Sequence, residues 1–286
     1  MSGFPYVLRE KKSEAMKARA IALNLGVAFI ALLVLFPLLW MLSVSFMSTG
    51  EAATFPPPLL PKTWTLEHYR DLFVTQGMGR YLWNSFALAT LATGLALLFT
   101  VPAGYAFAKL RFRGRERTFQ LLVAALVVPA QIGTLPLFLM LKGMGLVNTY
   151  AGALVPWLAS IFGLFLVRQY SLSIPDEMLE AARIDGASEG QIFRRVVLPT
   201  LQPIIVTLAL FVFLGSWNDF LWPLIILTDQ SNYTLPVALA ALSREHVQDI
   251  EMMMAGAVIT VAPVLILFLA LQRYYIRGML AGSVKG

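Results

Sequence analysis

Apolar residues run almost unbroken through six stretches of this chain, at about 21–46, 81–108, 118–141, 150–170, 203–228 and 253–276. Each matches the roughly 20 residues a helix needs to cross hydrocarbon. The pattern therefore predicts an all-α membrane protein with six transmembrane helices in one domain over residues 21–276. Composition agrees: 58% of the 286 residues are hydrophobic, 13% are charged and mean hydropathy is +0.72, outside the range of soluble domains. The first stretch follows a polar lead, residues 1–20, and lacks a small-residue cleavage site, so it reads as a retained helix and not a signal peptide.

Charge orients the spans. Five of the 22 Lys and Arg residues (Lys62, Arg70, Arg80, Lys142 and Arg244) fall in the segments 47–80, 142–149 and 229–252. The rest cluster in the N-terminal tail, in KLRFRGRER from Lys109 to Arg117, in the third polar segment and at the C-terminal end. Basic residues in short loops accumulate on the cytoplasmic side, so both termini, including the tail 277–286, are expected there. The net charge of +6 is dealt out beside the spans and gives no nucleic-acid signal. With no cysteine, disulfides, thiolate metal sites and a thiol nucleophile are excluded.

Two polar segments carry structure of their own. After FPPPLLP, the positions Leu66, Tyr69, Leu72 and Phe73 recur at helical spacing. They predict a short helix, lying on the membrane surface or packed on the outer face of the domain. The segment at about 171–202 predicts two short helices. Ser173 and Pro175 offer a start, with Asp176 and Glu177 in the first turn, where the helix dipole favours anions. Gly186 is a stop, and Ser188 with Gln191 forms a capping box. Ile192, Phe193, Val196 and Val197 make an apolar stripe that Pro199 closes. Such a knob is too small to bury a core alone and calls for a partner.

EAARIDG, nine residues, then VVLP resembles the EAA motif of permease subunits of binding-protein-dependent ATP-binding-cassette importers, with Val196 where that family has Ile. TLEHYRDLF, LGSWNDFLWPL, YTLPVAL and RGMLAGSVKG resemble the carbohydrate, maltose-type branch. The resemblance implies that the knob docks on a cytoplasmic ATPase through Glu180, Ala181, Ala182, Asp185, Gly186, Leu198 and Pro199. It implies two ATPase subunits, a second and related permease chain, and a periplasmic or lipid-anchored sugar-binding protein. It also implies a C-terminal tail that reaches the ATPase dimer. ATP and Mg would sit on the ATPase, because this chain has no GxxxxGK[ST] phosphate loop and needs no cofactor or metal of its own.

Polar groups inside spans face a cavity or a neighbouring helix. Trp217, Asn218, Asp219 and Trp222 therefore form a candidate sugar path, with aromatic faces for stacking and polar groups for hydroxyls. Two other readings stand beside it: Asp219 pairs with the second permease chain, or the run shapes a helix break before Pro223. Gln131, between Pro129 and Pro136, is assigned to packing or a kink. His68 and His246 lack convergent partners in the sequence. A secondary transporter needs more intramembrane carboxylates than the lone Asp219, and a membrane enzyme needs a catalytic set that the spans do not supply, so no residue is assigned to catalysis.

Overall fold

The computed structural model describes residues 4–245 and 249–283, with side chains described for 19–244 and 249–270. Among the described residues every regular element is helical. The chain forms two compact units, Met1–Asp71 with His246–Val258, and Leu72–Glu245 with Ile259–Gly286.

In the first unit, α1 (Phe4–Val44) starts inside the expected polar lead and runs through the first span. Its side chains from Ile21 to Leu39 are largely exposed, as suits a helix solvated by hydrocarbon. Val44, Met47 and Ala52 then form a small core with Trp40, Ile250 and Met254. Hydrogen bonds fix the proline-rich segment. The Ser43 hydroxyl donates to the Leu59 carbonyl at 2.6 Å, and the Lys62 N–H donates to the Glu51 carboxylate at 2.7 Å. The predicted outer helix is α2 (Glu67–Val74). Its packed positions in this unit are His68 and Tyr69; Leu66 and Phe73, half of the expected stripe, are exposed. Tyr69 and Ser45 hydroxyls lie 2.8 Å apart, and the Tyr69 ring sits 5.4 Å from that of Phe46. Buried His68 has the partner the sequence concealed: its Nδ1 lies 3.8 Å from the Asp249 carboxylate, while Nε2–H donates to the Met47 carbonyl at 3.0 Å. His246 lies outside the described residues.

The second unit is built on α3 (Met78–Lys109), which packs along two later helices. It is followed by α4 (Arg115–Ala125), a 3-10 turn at Ala130–Gly133, α5 (Thr134–Gly143), α6 (Tyr150–Leu154), a second 3-10 turn at Val155–Trp157 and α7 (Ile161–Leu172). Next come α8 (Asp176–Ile184), α9 (Glu189–Ile192), a π-helical turn at Phe193–Val197, α10 (Leu198–Thr200) and α11 (Gln202–Trp217). The short α12 (Leu221–Ile226) and α13 (Leu235–Glu245) precede α14 (Ile250–Ser283), whose helix extends into the expected C-terminal tail. Val284–Gly286, at the end of that tail, lie outside the described residues.

Close approach at glycines sets α3 against α7 and α7 against α11. A Cβ on Gly104 would stand 2.6 Å from Val167 Cγ1, and one on Gly163 would stand 2.6 Å from Leu208 Cδ1. Arg168 adds a polar tie. Its guanidinium lies 4.0 Å above the Phe119 ring and reaches Glu116 at 3.1 Å. At the opposite end of α3, the Asn84 amide donates to the Ser231 and Tyr233 carbonyls at 2.9 Å each and accepts from the Tyr150 hydroxyl at 2.5 Å.

Three helices are long and apolar enough to cross a membrane unbroken, Arg19–Val44, Met78–Lys109 and Ile250–Ala270; there are up to six crossings if each bent pair is one span. Breaks have local causes. The span expected at 118–141 bends by 94° ahead of the 3-10 turn. There Pro129 withholds an N–H and pushes Val128 out of helical geometry. The span expected at 150–170 bends by 43° before Ser160, whose hydroxyl caps α7 by accepting from the Gly163 N–H. The span expected at 203–228 stops at Trp217 and resumes at Leu221.

Candidate functional site

The 171–202 segment folds as two limbs around a turn. Gly186 has φ +83°, which only glycine adopts without strain, and a Cβ there would meet open space. Ser188 and Gln191 complete the capping box in both directions, with the Ser188 N–H donating to Gln191 Oε1 at 2.8 Å. Across the turn Arg183 Nε donates to Glu189 at 2.7 Å, and that hydrogen bond raises the arginine's already high pKa. The second limb corrects one boundary. Helix continues through Pro199 to Thr200 and turns by 77° into α11. The preceding π turn already widens the backbone ladder, so a proline without an N–H is tolerated there.

The two faces of this knob differ. Leu179, Ile192 and Val197 are buried in the main core of the second unit, with Ala182, Phe193, Val196 and Leu198 packed against it. Each fully buried aliphatic side chain contributes about 1.5–3 kcal/mol to that anchoring. Glu180, Ala181, Asp185, Gly186 and Pro199 are exposed, beside Ile184 at 86% exposure. The expected docking residues thus separate into an outward set and an anchoring pair, Ala182 and Leu198. Lys109 holds the start of the knob, donating at 2.6 Å both to the Ile174 carbonyl and to Asp176 Oδ1. That hydrogen bond, ahead of the charge of Lys109, holds the Asp176 carboxyl below its ordinary value. The lowered pKa makes the pair's contribution present above the unfolded carboxyl value and lost as pH falls through the folded one.

A cavity of about 540 Å³ lies where the broken helices meet. Gln131, Thr134, Trp157, Gly215, Asp219 and Trp222 are among its lining residues. Two expected path residues are therefore present, Asp219 and Trp222, and two are absent. Trp217 is 1% exposed; its indole donates to the Thr260 carbonyl at 3.2 Å and its ring stacks on Phe213 at 5.9 Å. Asn218 turns back to donate to the Leu214 carbonyl at 2.8 Å, closing α11. The helix-break reading is thus realised in Asn218, while Asp219 serves both the break and the cavity: it accepts from the Trp222 N–H at 3.4 Å and lines the cavity. Gln131, assigned to a kink, sits at that kink and on the cavity wall. Trp157 was not foreseen. The only clue was a tryptophan after Pro156 within an apolar run. Its ring lies so close to α11 that a Cβ on Gly215 would be 2.9 Å from Cη2. Among the described residues no group of three or more His, Cys, Asp or Glu could hold a metal ion.

A permease protein of an arabinooligosaccharide transport system from Halalkalibacterium halodurans, AraQ, is 38% identical over 92% of this chain and 96% of that protein. NgcG, a diacetylchitobiose uptake permease from Streptomyces coelicolor, is 35% identical over 89% of this chain and 84% of that protein. The fold matches a crystal structure of a bacterial ABC transporter involved in the import of the acidic polysaccharide alginate. That match has a TM-score of 0.79 at 26% identity and covers 92% of this chain and 98% of that one. Residues 100–281, which include the knob and the lining of the cavity, match the binding-protein-dependent transport system inner membrane component family, and the chain belongs to it.

Proposed function

We propose that this chain is the permease subunit of an ABC importer for a neutral sugar, with the cavity around Asp219 on the sugar's path and the 171–202 knob as its ATPase contact. One observation carries the substrate class: a largely apolar cavity with two tryptophans, Gln131 and Thr134 in its lining, and Asp219 as the one charged residue there. Trp157 and Trp222 bring aromatic rings to the lining, which suit sugar rings, and Gln131, Thr134 and Asp219 bring groups that hydrogen-bond hydroxyls. A carboxylate repels an acidic sugar and accepts from a neutral one. The similar proteins named for arabinooligosaccharides and diacetylchitobiose support a neutral oligosaccharide.

The partners in this reading are a second, related permease chain, two ATPase subunits that hold ATP and Mg, and a sugar-binding protein on the far side of the membrane. The basic loop at Lys109–Arg117 and the knob face the cytoplasm, so ATP is required on their side. Sugar class is tested on the binding protein that co-purifies with this chain. A neutral oligosaccharide at about 100 times its dissociation constant should stabilise it by about 2.7 kcal/mol in a thermal melt. Stabilisation by an acidic oligosaccharide and not by neutral ones would overturn the substrate class.

A further inference from the structure

We propose that the last two turns of α3 form the joint that carries knob movement into the membrane, with Lys109 as its positioning residue. The proposal rests on the coupling role given above to the 171–202 segment. The Lys109 side chain is only 7% exposed although it carries a charge. Such a group stays buried only when its donors are satisfied. Here two of the three are spent on the entrance to the knob, at the Ile174 carbonyl and at Asp176 in the first turn of α8. Both contacts are charge-assisted, which makes them stronger than neutral hydrogen bonds.

One turn back along the same face of α3 stands Tyr105, buried, with its ring 5.5 Å from that of Phe193 in the π turn. A single helix thus grips both limbs, one through a cation and one through a ring. The other end of this helix is tied at Asn84 to the Ser231 and Tyr233 carbonyls. Between the two ties α3 runs unbroken and packs on α7 and α11. The alternative route, the peptide link from the knob to α11, passes through the 77° turn beside Leu201. A displacement of the knob is therefore handed to α3 by the Lys109 and Tyr105 contacts, and α3 moves its packing partners with it.

The test uses the assembled importer in vesicles, with ATP hydrolysis and sugar uptake measured together. Lys109→Met keeps the volume of the side chain and removes its donors. The expected result is normal retention of the ATPase with sugar moved per ATP lowered about tenfold, within the range typical of coupling between linked sites. Lys109→Arg, which keeps donors for both acceptors, should restore most of the ratio. Asp176→Asn, at an exposed position, should lower it less than Lys109→Met does. An unchanged ratio in Lys109→Met overturns the joint, and so does loss of the ATPase from that variant, which would make Lys109 a support of the docking face. Gly186→Leu run in parallel separates the two readings: if it too retains the ATPase and transports normally, the coupling role of the segment fails.

Discussion

A Gly186→Leu chain is expected to reach the membrane at normal levels and to lose its ATPase subunits on purification. At φ +83° a side chain costs about 1–2 kcal/mol in backbone strain. Nothing lies within 4 Å of the added Cβ, so the effect is one of conformation and not of collision. The chain relieves the strain by turning the second limb relative to the first, which dislocates the exposed set Glu180, Ala181, Asp185 and Ile184. Gly186→Asn, whose short polar side chain tolerates left-handed geometry, should keep most of the coupling. Glu180→Lys should act at the same surface without strain, because like-charge contact costs several kcal/mol if the partner groove is basic. Pull-down of the ATPase and sugar-stimulated ATP hydrolysis read both variants. Wild-type behaviour of Gly186→Leu and Glu180→Lys together would remove the knob from the coupling path.

In the cavity, Asp219→Leu is expected to lower sugar transport about 10- to 100-fold while the ATPase stays bound. A hydrogen bond to a charged group is worth about 1.5–3 kcal/mol, and leucine returns none of it. Trp157→Ala should also lower transport, by less, because a stacking face contributes about 0.5–1.5 kcal/mol beyond its area. Gly215→Val gives an independent check. Its Cβ would stand 2.9 Å from the Trp157 ring, so the indole must shift from its place on the cavity wall. Uptake kinetics should show transport falling in all three variants and little change for Asn218→Ala, whose side chain caps α11 instead of lining the cavity. Normal transport in Asp219→Leu would place the sugar elsewhere.

What could be read from the sequence was what the chain decides locally. The turn at Gly186 and the capping box at Ser188 need only a few neighbouring residues, and both formed as their chemistry requires. The apolar runs reported helix content well but not straightness. Hydropathy does not register that Pro129 and the polar run at Asn218 interrupt a ladder, and the cavity exists because they do. The residues that sequence reasoning missed are joined across long separations. Trp157 becomes a lining residue only because Gly215 leaves room for it, and His68 finds Asp249 from another part of the chain. Lys109 looked like one more member of a basic loop until its acceptors at Ile174 and Asp176 were in place. Trp217 was misplaced for a related reason. A tryptophan beside Asn and Asp reads as polar lining, but its indole had a carbonyl to satisfy at Thr260.

The central claim, that this chain couples ATP on one face to sugar entry from the other, is tested most directly by sided uptake in vesicles. The complete complex is reconstituted, and labelled sugar, its binding protein and ATP are supplied to chosen faces. Uptake is predicted only with ATP on the face that bears Arg113 and Gly186 and with loaded binding protein on the opposite face, unchanged when proton and sodium gradients are collapsed. Uptake that follows an ion gradient without ATP, or that needs ATP on the binding-protein face, would contradict it.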